Sequence, residues 1–236
     1  MIVARLEPLL SIIVPVYNEA ATIGAVLDRL LTIDLPIPRE IIAVNDGSRD
    51  GTAAALDAAA ARSPLITAIH QPQNGGKGKA LRTAMSRTKG TIVAIQDADL
   101  ELDPAQLAQL VGPVLRNEAD VVYGSRFMRG ATHVPLVTRL GNAGLTLVTN
   151  VLYGSSLTDM ETCYKVFRRE IIQAIHIEEN RFGFEPEITA KIAKARCRIF
   201  EVGISYSGRT YEEGKKIGWK DGVRALYCIV KYNLFR

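Results

Sequence analysis

Three acidic side chains stand at alternate positions directly after an apolar stretch: Asp97, Asp99 and Glu101 follow TIVAIQ. Carboxylates this close repel one another and raise one another's pKa, so a nearby cation is needed to offset the repulsion. A hard divalent ion does this, because Mg²⁺ binds one or two carboxylates together with substrate phosphates and water. The alternative is an acidic turn that caps the next helix, a role that suits Asp103. The position at the end of a strand favours the metal site.

Further polar turns follow other apolar stretches. Asp46 ends the second stretch and suits a hydrogen bond to a ribose or a base, whereas Asp50 is expected to cap the next helix. The turn GGKGK lacks the G-x-x-x-x-G-K-[ST] spacing of a P-loop. Lys77 and Lys79 lie near a helix N-terminus, where two interpretations are equally open: they bind an anion, or they form a solvated turn. The turn at Tyr17 lacks the G-x-G-x-x-G pattern of a dinucleotide-binding dehydrogenase.

The elements that must position these turns alternate between strand and helix in the first half of the chain. Continuous apolar runs predict strands buried on both faces, and apolar residues at helical spacing separate them. This alternation predicts an α/β fold with a mostly parallel sheet and helices on both faces, where ligands bind beyond the carboxyl ends of the strands. The predicted strands are 11–16, 40–44, 65–70, 91–96 and 120–123, and the predicted helices are 23–31, 50–62, 79–87 and 103–115.

The second half of the chain is less regular. Its last helix carries apolar side chains along one face, from Val223 to Leu234. The segment 207–220 is polar and has no apolar period, so we expect a mobile loop there. Helices are predicted at 138–153, 168–176, 186–196 and 221–235, and a strand at 198–206.

Composition excludes several classes of protein. The chain has 236 residues, of which 47% are hydrophobic and 23% charged, so disorder is excluded. The 3 cysteines are far apart and match no metal or redox spacing, which predicts small buried residues in a reducing compartment. No apolar stretch reaches the roughly 20 residues of a membrane-spanning helix. With a poor signal sequence at the N-terminus, an intracellular soluble protein is expected.

Charge is distributed unevenly along the chain. The net charge is +4, and residues 124–236 carry 18 basic and 11 acidic side chains. An anionic ligand or surface is therefore expected on that side, although a solvated basic face would have the same composition. Nucleic acid is disfavoured, because the basic residues lack the interleaved aromatic side chains of a stacking platform.

Seven segments, spread from about residue 10 to the end of the chain, together form a recognisable pattern: SIIVPVYNEAATI, VNDGSRDGT, NGGKGKALRTAM, QDADLELDP, VVYGSRF, TDMETCYKVFRR and GRTYEEGKKIGWKDG. In these segments and in their order, the chain resembles the family 2 glycosyltransferases of GT-A fold, and within them the dolichol-phosphate mannosyltransferase and polyprenyl-phosphate glucosyltransferase group. The resemblance implies one GT-A domain over 1–236, with a nucleotide-sugar half at 10–123 and an acceptor half at 124–236.

The resemblance also implies a role for each matching residue. The metal would be Mg²⁺ or Mn²⁺ at Asp97 and Asp99, and Glu101 falls where relatives often have a glutamine that can complete the metal shell. Arg126 and Arg139 would meet the acceptor or the diphosphate. From the mobile loop, Arg209 and Lys215 would close over phosphates. The nucleotide site would be formed by Pro15, Val16, Tyr17, Glu19, Asp46, Lys77 and Ala98.

The implied reaction moves a hexose, with inversion, from UDP-glucose or GDP-mannose to a polyprenyl or dolichyl phosphate. A phosphate monoester has a second pKa of about 6 and is largely ionised at neutral pH, so it needs cations rather than a strong base. A hydroxyl acceptor would need a base instead, for which Asp159 and Glu161 are the best candidates. Asp159 is counted among the catalytic residues, where it either serves as base or orients the acceptor phosphate or the sugar. Glu185 and Glu187 suit either a sugar contact or a helix start.

Two other functions stay open at this point: the same fold acting on a hydroxyl of a glycan or small molecule, and a non-catalytic nucleotide-sugar-binding module. The expected location is the cytoplasmic face of the membrane, with peripheral attachment. The segment 225–235 is too short to span a bilayer, but its aromatic and basic side chains suit the interface as well as they suit core packing. A separate membrane partner protein and a homodimer are further alternatives.

Overall fold

Alternating elements build one seven-stranded sheet that runs through both halves of the chain. The computed structural model describes residues 7–128, 134, 136–209 and 218–234. The strands are β1 (Leu10–Val16), β2 (Arg39–Asn45), β3 (Ile66–His70), β4 (Ile92–Ile95), β5 (Val121–Ser125), β6 (Lys165–Arg168) and β7 (Ile199–Gly203). The helices are α1 (Ile23–Thr32), α2 (Thr52–Arg62), α3 (Lys77–Met85), α4 (Leu107–Leu115), α5 (Leu136–Tyr153), α6 (Arg169–Ala174), α7 (Phe184–Lys194) and α8 (Trp219–Leu234).

The strand order is β3-β2-β1-β4-β6-β5-β7. Strands β1 to β4 pair in parallel, as do β5 and β7, whereas β6 is antiparallel to both of its neighbours. The prediction of a mostly parallel α/β sheet is therefore confirmed. Strand β6 was missed, because four residues, three of them buried, followed at once by a helix show no period that separates strand from helix.

Two apolar cores cover the two faces of the sheet. One core packs α1, α2 and α4 against the sheet around Leu27 and Leu110, and the other packs α3, α5, α6, α7 and α8 around Leu81 and Ile188. Strand β1, which lies between β2 and β4, contributes to both cores, because successive side chains point to opposite faces. This explains why its sequence is a continuous apolar run rather than an alternating one.

The ends of several elements differ from the predicted ones. The helix expected from Asp103 starts as a short 3₁₀ segment, Pro104–Gln106, and Asp103 caps it by accepting the Ala105 N–H at 3.1 Å. Asp50 lies one residue before the N-cap of α2 and accepts the Thr52 N–H at 3.0 Å, so it does serve the helix start. Most of the predicted loop 207–220 lies outside the described residues.

The last helix, α8, uses a different face for core packing than its apolar stripe suggests. Ala225, Cys228, Ile229 and Tyr232 are buried, whereas Val223, Leu226, Tyr227 and Leu234 are exposed. Within the described part of the chain, no helix has both the length and the apolar character needed to cross a bilayer.

Candidate active site

A cavity of about 480 Å³ opens at the edge of the sheet where the parallel strands end. This is the edge at which α/β sheets bind ligands. The lining brings together twelve of the residues predicted from sequence: Pro15, Val16, Tyr17, Glu19, Asp46, Lys77, Asp97, Ala98, Asp99, Glu101, Arg126 and Arg209. Three predicted residues are elsewhere. Asp159 is buried behind the lining, Arg139 is exposed on α5, and Lys215 lies outside the described residues.

The acidic turn after β4 is held in a fixed shape by its own backbone and by a buried amide. The Gln96 side chain, completely buried, donates to the carbonyls of Asp97 and Leu102 at 3.1 Å each. Leu100 has a φ of 63°, in the left-handed region that a leucine rarely adopts. This turn therefore directs Asp97 and Asp99 to different partners in the cavity.

Asp97 faces a lysine from the glycine-rich turn. The Lys77 ammonium lies 2.8 Å from the Asp97 carboxylate and 3.4 Å from Glu185. Burial disfavours the charged ammonium, but Asp97 and Glu185 outweigh it and raise the pKa of Lys77 well above its ordinary value. The same lysine lowers the pKa of Asp97 against the effect of burial. Both groups are thus charged at neutral pH.

Asp99 faces an arginine that three acids share. The Arg209 guanidinium lies 3.0 Å from Glu19, 3.1 Å from Asp99 and 3.3 Å from Glu101. Tyr206 donates to Glu101 at 2.7 Å. Burial, Asp97 and Glu101 together raise the pKa of Asp99 to about 7. One positive charge among three carboxylates leaves this part of the cavity short of positive charge.

The arrangement bears on the predicted metal. Among the described residues, no three potential ligand side chains converge on one point, because Asp97 turns to Lys77 whereas Asp99 and Glu101 turn to Arg209. The assignment of Asp97, Asp99 and Glu101 as metal ligands therefore stays a prediction. The chemistry of the donors still fits a hard divalent ion, which needs one or two carboxylates and takes its other ligands from phosphates and water. The unbalanced charge at Asp99 supports that fit.

Arg126 is fixed by a single buried carboxylate. Asp159, with no exposed surface, accepts from the Arg126 Nε and Nη2 at 2.7 Å each and from the Arg126 backbone N–H at 3.0 Å. Glu201 in turn accepts the N–H of Asp159 at 3.1 Å. Both oxygens of Asp159 are thus occupied by Arg126, so Asp159 positions this arginine rather than acting as a free base.

Asp46 shapes the glycine-rich turn. Its carboxylate accepts the N–H groups of Gly75 and Gly76 at 2.8 and 2.7 Å. Gly76 has a φ of 92°, and a Cβ there would come within 2.4 Å of the Asn180 carbonyl. The glycine therefore allows the chain before α7 to approach closely, which brings Arg181 into the cavity wall.

Sequence reasoning missed several lining residues. Arg181 and Phe182 precede α7 and carry no charge pattern that marks them. Arg181 forms no ion pair with a carboxylate in the described part of the chain, unlike the other cavity cations. Cys163, expected to be a simple buried residue, lies 2.7 Å from the Lys77 ammonium. Burial and Asp97 raise the pKa of its thiol, so it stays protonated.

Glu161 also lines the cavity, and one of its oxygens is buried without a hydrogen-bond partner. Burial and the neighbouring Glu185 raise its pKa to about 8. Of the two candidate bases predicted from sequence, only Glu161 has a carboxylate oxygen that is not occupied, because both oxygens of Asp159 bind Arg126. A carboxyl group with a raised pKa and an unpartnered oxygen thus lies at the cavity wall.

Comparison with known sequences agrees with this geometry. The model of Glycosyl transferase family 2 matches residues 11–175. The undecaprenyl-phosphate mannosyltransferase of Micrococcus luteus is 31% identical over 231 residues, which cover 94% of this chain and 93% of the relative. The undecaprenyl-phosphate 4-deoxy-4-formamido-L-arabinose transferase of Pseudomonas aeruginosa is 30% identical, with 88% of this chain matched to 60% of that longer relative.

Solved structures share the fold. The glucosyl-3-phosphoglycerate synthase of Mycobacterium tuberculosis, in complex with Mn²⁺ and UDP, superposes with a TM-score of 0.73 at 21% identity, over 96% of this chain and 80% of that one. The mannosyl-3-phosphoglycerate synthase of Rubrobacter xylanophilus gives a TM-score of 0.77 at 21% identity, over 95% and 73%. The match to the family model over most of the chain, with the cavity at the strand ends, shows that this protein is a glycosyltransferase of family 2 with the GT-A fold.

Proposed function

We propose that the enzyme transfers a hexose, with inversion, from a nucleotide diphosphate sugar to a polyprenyl phosphate, with the help of Mg²⁺ or Mn²⁺. The observation that carries this proposal is the cavity itself, whose lining combines three carboxylates with four cations: Asp97, Asp99 and Glu101 with Lys77, Arg126, Arg181 and Arg209. The named relative from Micrococcus luteus, matched over nearly its whole length, supports the acceptor class. UDP-glucose and GDP-mannose are the two donors to test.

The residues divide into two roles. Residues from 10–123, among them Tyr17, Asp46 and Asp97, are proposed to bind the nucleotide and the diphosphate. Residues from 124–236 are proposed to bind the acceptor, with Arg126 held in place by Asp159. A divalent ion held by Asp97 and Asp99 would supply Lewis-acid stabilisation of the departing diphosphate.

The chemistry follows from charge. The bond from the sugar to the diphosphate breaks as the phosphate oxygen of the acceptor attacks, and the sugar carbon becomes oxocarbenium-like between them. Negative charge grows on the leaving diphosphate, and Arg209, which lies 3.1 Å from Asp99, is proposed to contact it. Preorganised cations at such a position stabilise developing charge without reorganisation. The acceptor phosphate is already ionised at neutral pH, so its attack needs no base.

The test is a transfer assay with purified enzyme, Mn²⁺ or Mg²⁺, one donor at a time, and a short polyprenyl phosphate in detergent. Lipid-linked hexose from one donor, lost on addition of EDTA, is expected. Asp99→Asn should lower the transfer rate at least about 100-fold, which is the usual effect of removing one group that stabilises charge in a transition state. Asp103→Asn is the matched control, because Asp103 lies on the same turn but outside the cavity lining. Equal rates for the two variants would contradict the proposal.

Glu161 favours a second candidate function, transfer to a hydroxyl of a glycan or small molecule. Its unpartnered buried oxygen and raised pKa are the properties of a general base for a hydroxyl group. In the same assay, Glu161→Gln would abolish transfer to a hydroxyl acceptor but leave transfer to a polyprenyl phosphate largely intact. If the enzyme hydrolyses the donor but forms no lipid product, a hydroxyl group is the acceptor class to test next. If the protein binds the donor without any turnover, it is a non-catalytic nucleotide-sugar-binding module.

A further inference from the structure

The segment 175–183 connects α6 to α7 without regular secondary structure, yet part of it is buried. Ile177 and Glu179 are buried, whereas Arg181 and Phe182, a few residues further along, line the cavity. A buried irregular segment lacks the ladder or helix that would satisfy its backbone N–H and C=O groups, so groups from other elements must do so. The elements that supply these partners determine where Arg181 lies.

One set of partners comes from a single carboxylate on α7. Glu187, which has no exposed surface, accepts the N–H groups of Glu178 and Glu179 at 2.7 Å each, one with each oxygen. Lys191, one turn further along α7, lies 2.5 Å from the Glu187 carboxylate and also donates to the His176 carbonyl. The buried charge of Glu187 is thus balanced, and hydrogen bonds to a charged group are stronger than those between neutral groups. Helix α7 therefore fixes the first part of the segment.

A second set of partners comes from α3. The Arg82 guanidinium donates to the Glu179 carbonyl at 3.0 Å and to the Asn180 side chain. The Lys79 N–H, in the first turn of the same helix, donates to the Asn180 carbonyl at 3.2 Å. Gly78 lies so close to the Glu179 carbonyl that a Cβ would clash with it. The contacts from α7 and α3 together hold the backbone at 178–180, and we call them the 178–180 clamp.

The 178–180 clamp lies outside the cavity but next to it. Neither Glu187 nor Arg82 belongs to the lining, whereas Lys77 and Ala80 of α3 do, as does Arg181. Arg181 is the first residue after the clamp, so a fixed backbone at 178–180 limits the positions that its guanidinium can reach. A long side chain on ordered backbone loses less conformational freedom on binding a phosphate than one on a free loop. The clamp is therefore suited to prepare Arg181 for a ligand.

From these contacts we propose that Glu187 and Arg82 are positioning residues, which hold the backbone at 178–180 and thereby place the Arg181 guanidinium at the cavity. The inference rests on the proposed function in one respect, because it takes a phosphate group of a substrate as the ligand of Arg181. It also links the two halves of the chain, since Arg82 belongs to the half proposed to bind the nucleotide and Glu187 to the half proposed to bind the acceptor. Loss of either positioning residue should weaken substrate binding although no group that contacts the substrate is removed.

The first experiment measures the clamp directly, on the full chain and without any substrate. Trypsin cleaves after arginine, and Arg181 is exposed, so the rate of the cut after Arg181 reports how often this backbone opens. Mass spectrometry of the fragments should show this cut about fivefold faster in Arg82→Gln and in Glu187→Gln than in the wild type. Arg169→Gln is the matched control, since Arg169 also donates to a distant carbonyl, that of Lys89 at 2.8 Å, and neither residue lines the cavity.

The second experiment measures the consequence for the reaction. Arg82→Gln should raise about fivefold the same KM that Arg181→Ala raises, with a change in kcat below about twofold. In the Arg181→Ala background it should have no further effect on that KM, because its effect passes through Arg181. A role in stability alone would lower the urea midpoint and the active fraction but leave KM unchanged. Arg82→Lys should restore part of the KM, since one donor to the Glu179 carbonyl is kept.

Two outcomes overturn the inference. One is an unchanged rate of the cut after Arg181 in Arg82→Gln, a variant of a half-buried side chain that is informative even if Glu187→Gln does not fold. The other is a faster cut in Arg82→Gln together with an unchanged KM, although Arg181→Ala raises it. The two proposals fail separately. If the wild type forms no lipid product, the proposed acceptor is wrong, whereas a faster cut and a raised KM for donor hydrolysis in Arg82→Gln still support the clamp.

Discussion

Two arginines in the cavity of this glycosyltransferase differ in how their charge is balanced. Arg126 pairs with one carboxylate, Asp159, through two bonds of 2.7 Å, and the pair is neutral. Arg209 is shared by three carboxylates at 3.0 to 3.3 Å, so the group carries an excess of negative charge. The first arrangement fixes a side chain. The second has room for a further cation, which is the property expected of a site that binds a divalent ion with its substrate.

The largest expected effect comes from breaking the neutral pair. Asp159→Asn leaves the Arg126 guanidinium buried without a counter-charge, and removing one partner of a buried pair costs about 3–5 kcal/mol. Urea unfolding measures this loss, and transfer activity should fall with it because Arg126 loses its position. Glu118→Gln is the control, since the Arg116–Glu118 pair is exposed and should give no measurable change in stability. Similar midpoints for the two variants would show that Asp159 is not the residue that holds Arg126.

Loss of the shared arginine, Arg209, should strengthen metal binding rather than weaken the site. Arg209→Gln removes the cation that competes for Asp99 and Glu101, so Mn²⁺ binding to the free enzyme should tighten several-fold. The same variant should lower kcat/KM about 10- to 100-fold, because a cation near the leaving diphosphate is lost. Calorimetry with Mn²⁺ alone and steady-state kinetics give the two readings. Weaker Mn²⁺ binding by the variant would mean that Arg209 helps to build the site rather than compete for it.

Arg181 extends the comparison to a cation without a carboxylate partner among the described residues. Such a group is available to bind a substrate phosphate, so Arg181→Ala should raise a KM about tenfold with a smaller change in kcat. A rise in the KM of the donor would assign Arg181 to the diphosphate, and a rise in the KM of the acceptor would assign it to the phosphate monoester. Partial recovery in Arg181→Lys is expected, because a positive charge is restored without the planar guanidinium. Unchanged KM values for both substrates would exclude either role.

The smallest expected effect is the pH dependence of stability that Glu161 causes. Burial and Glu185 raise the pKa of Glu161 to about 8, above its ordinary value of 4.5. Between these values the folded protein holds a proton that the unfolded chain has lost, so this residue makes stability fall as pH rises from about 4.5 to about 8. Glu161→Gln should therefore raise Tm by a few degrees at pH 8 relative to the wild type, with no such gain at pH 5. A gain of the same size at both pH values would point to packing rather than to protonation.

Much of the cavity was predictable because its residues stand at the ends of strands. Apolar runs identified β1, β2 and β4, and parallel strands bring their carboxyl ends to one edge, so Tyr17, Asp46 and Asp97 had to lie close together. The short antiparallel strand β6 was not predictable, since four residues, three of them buried, give too little pattern. The path of the chain before α7 was not predictable either, because its sequence also shows too little pattern. The place of Arg181 and Phe182 in the cavity wall was therefore missed.

The sequence by itself determined the order of most elements, the position of the acidic turn and the family, because these depend on local periodicity and on motifs read along the chain. The tertiary structure alone decided which charges meet. Asp97 and Asp99 are two residues apart, yet one faces Lys77 and the other Arg209, whose positions in the chain differ by more than a hundred residues. It also decided which face of α8 is buried, because both faces carry apolar side chains at helical spacing and only packing against α5 and α7 distinguishes them.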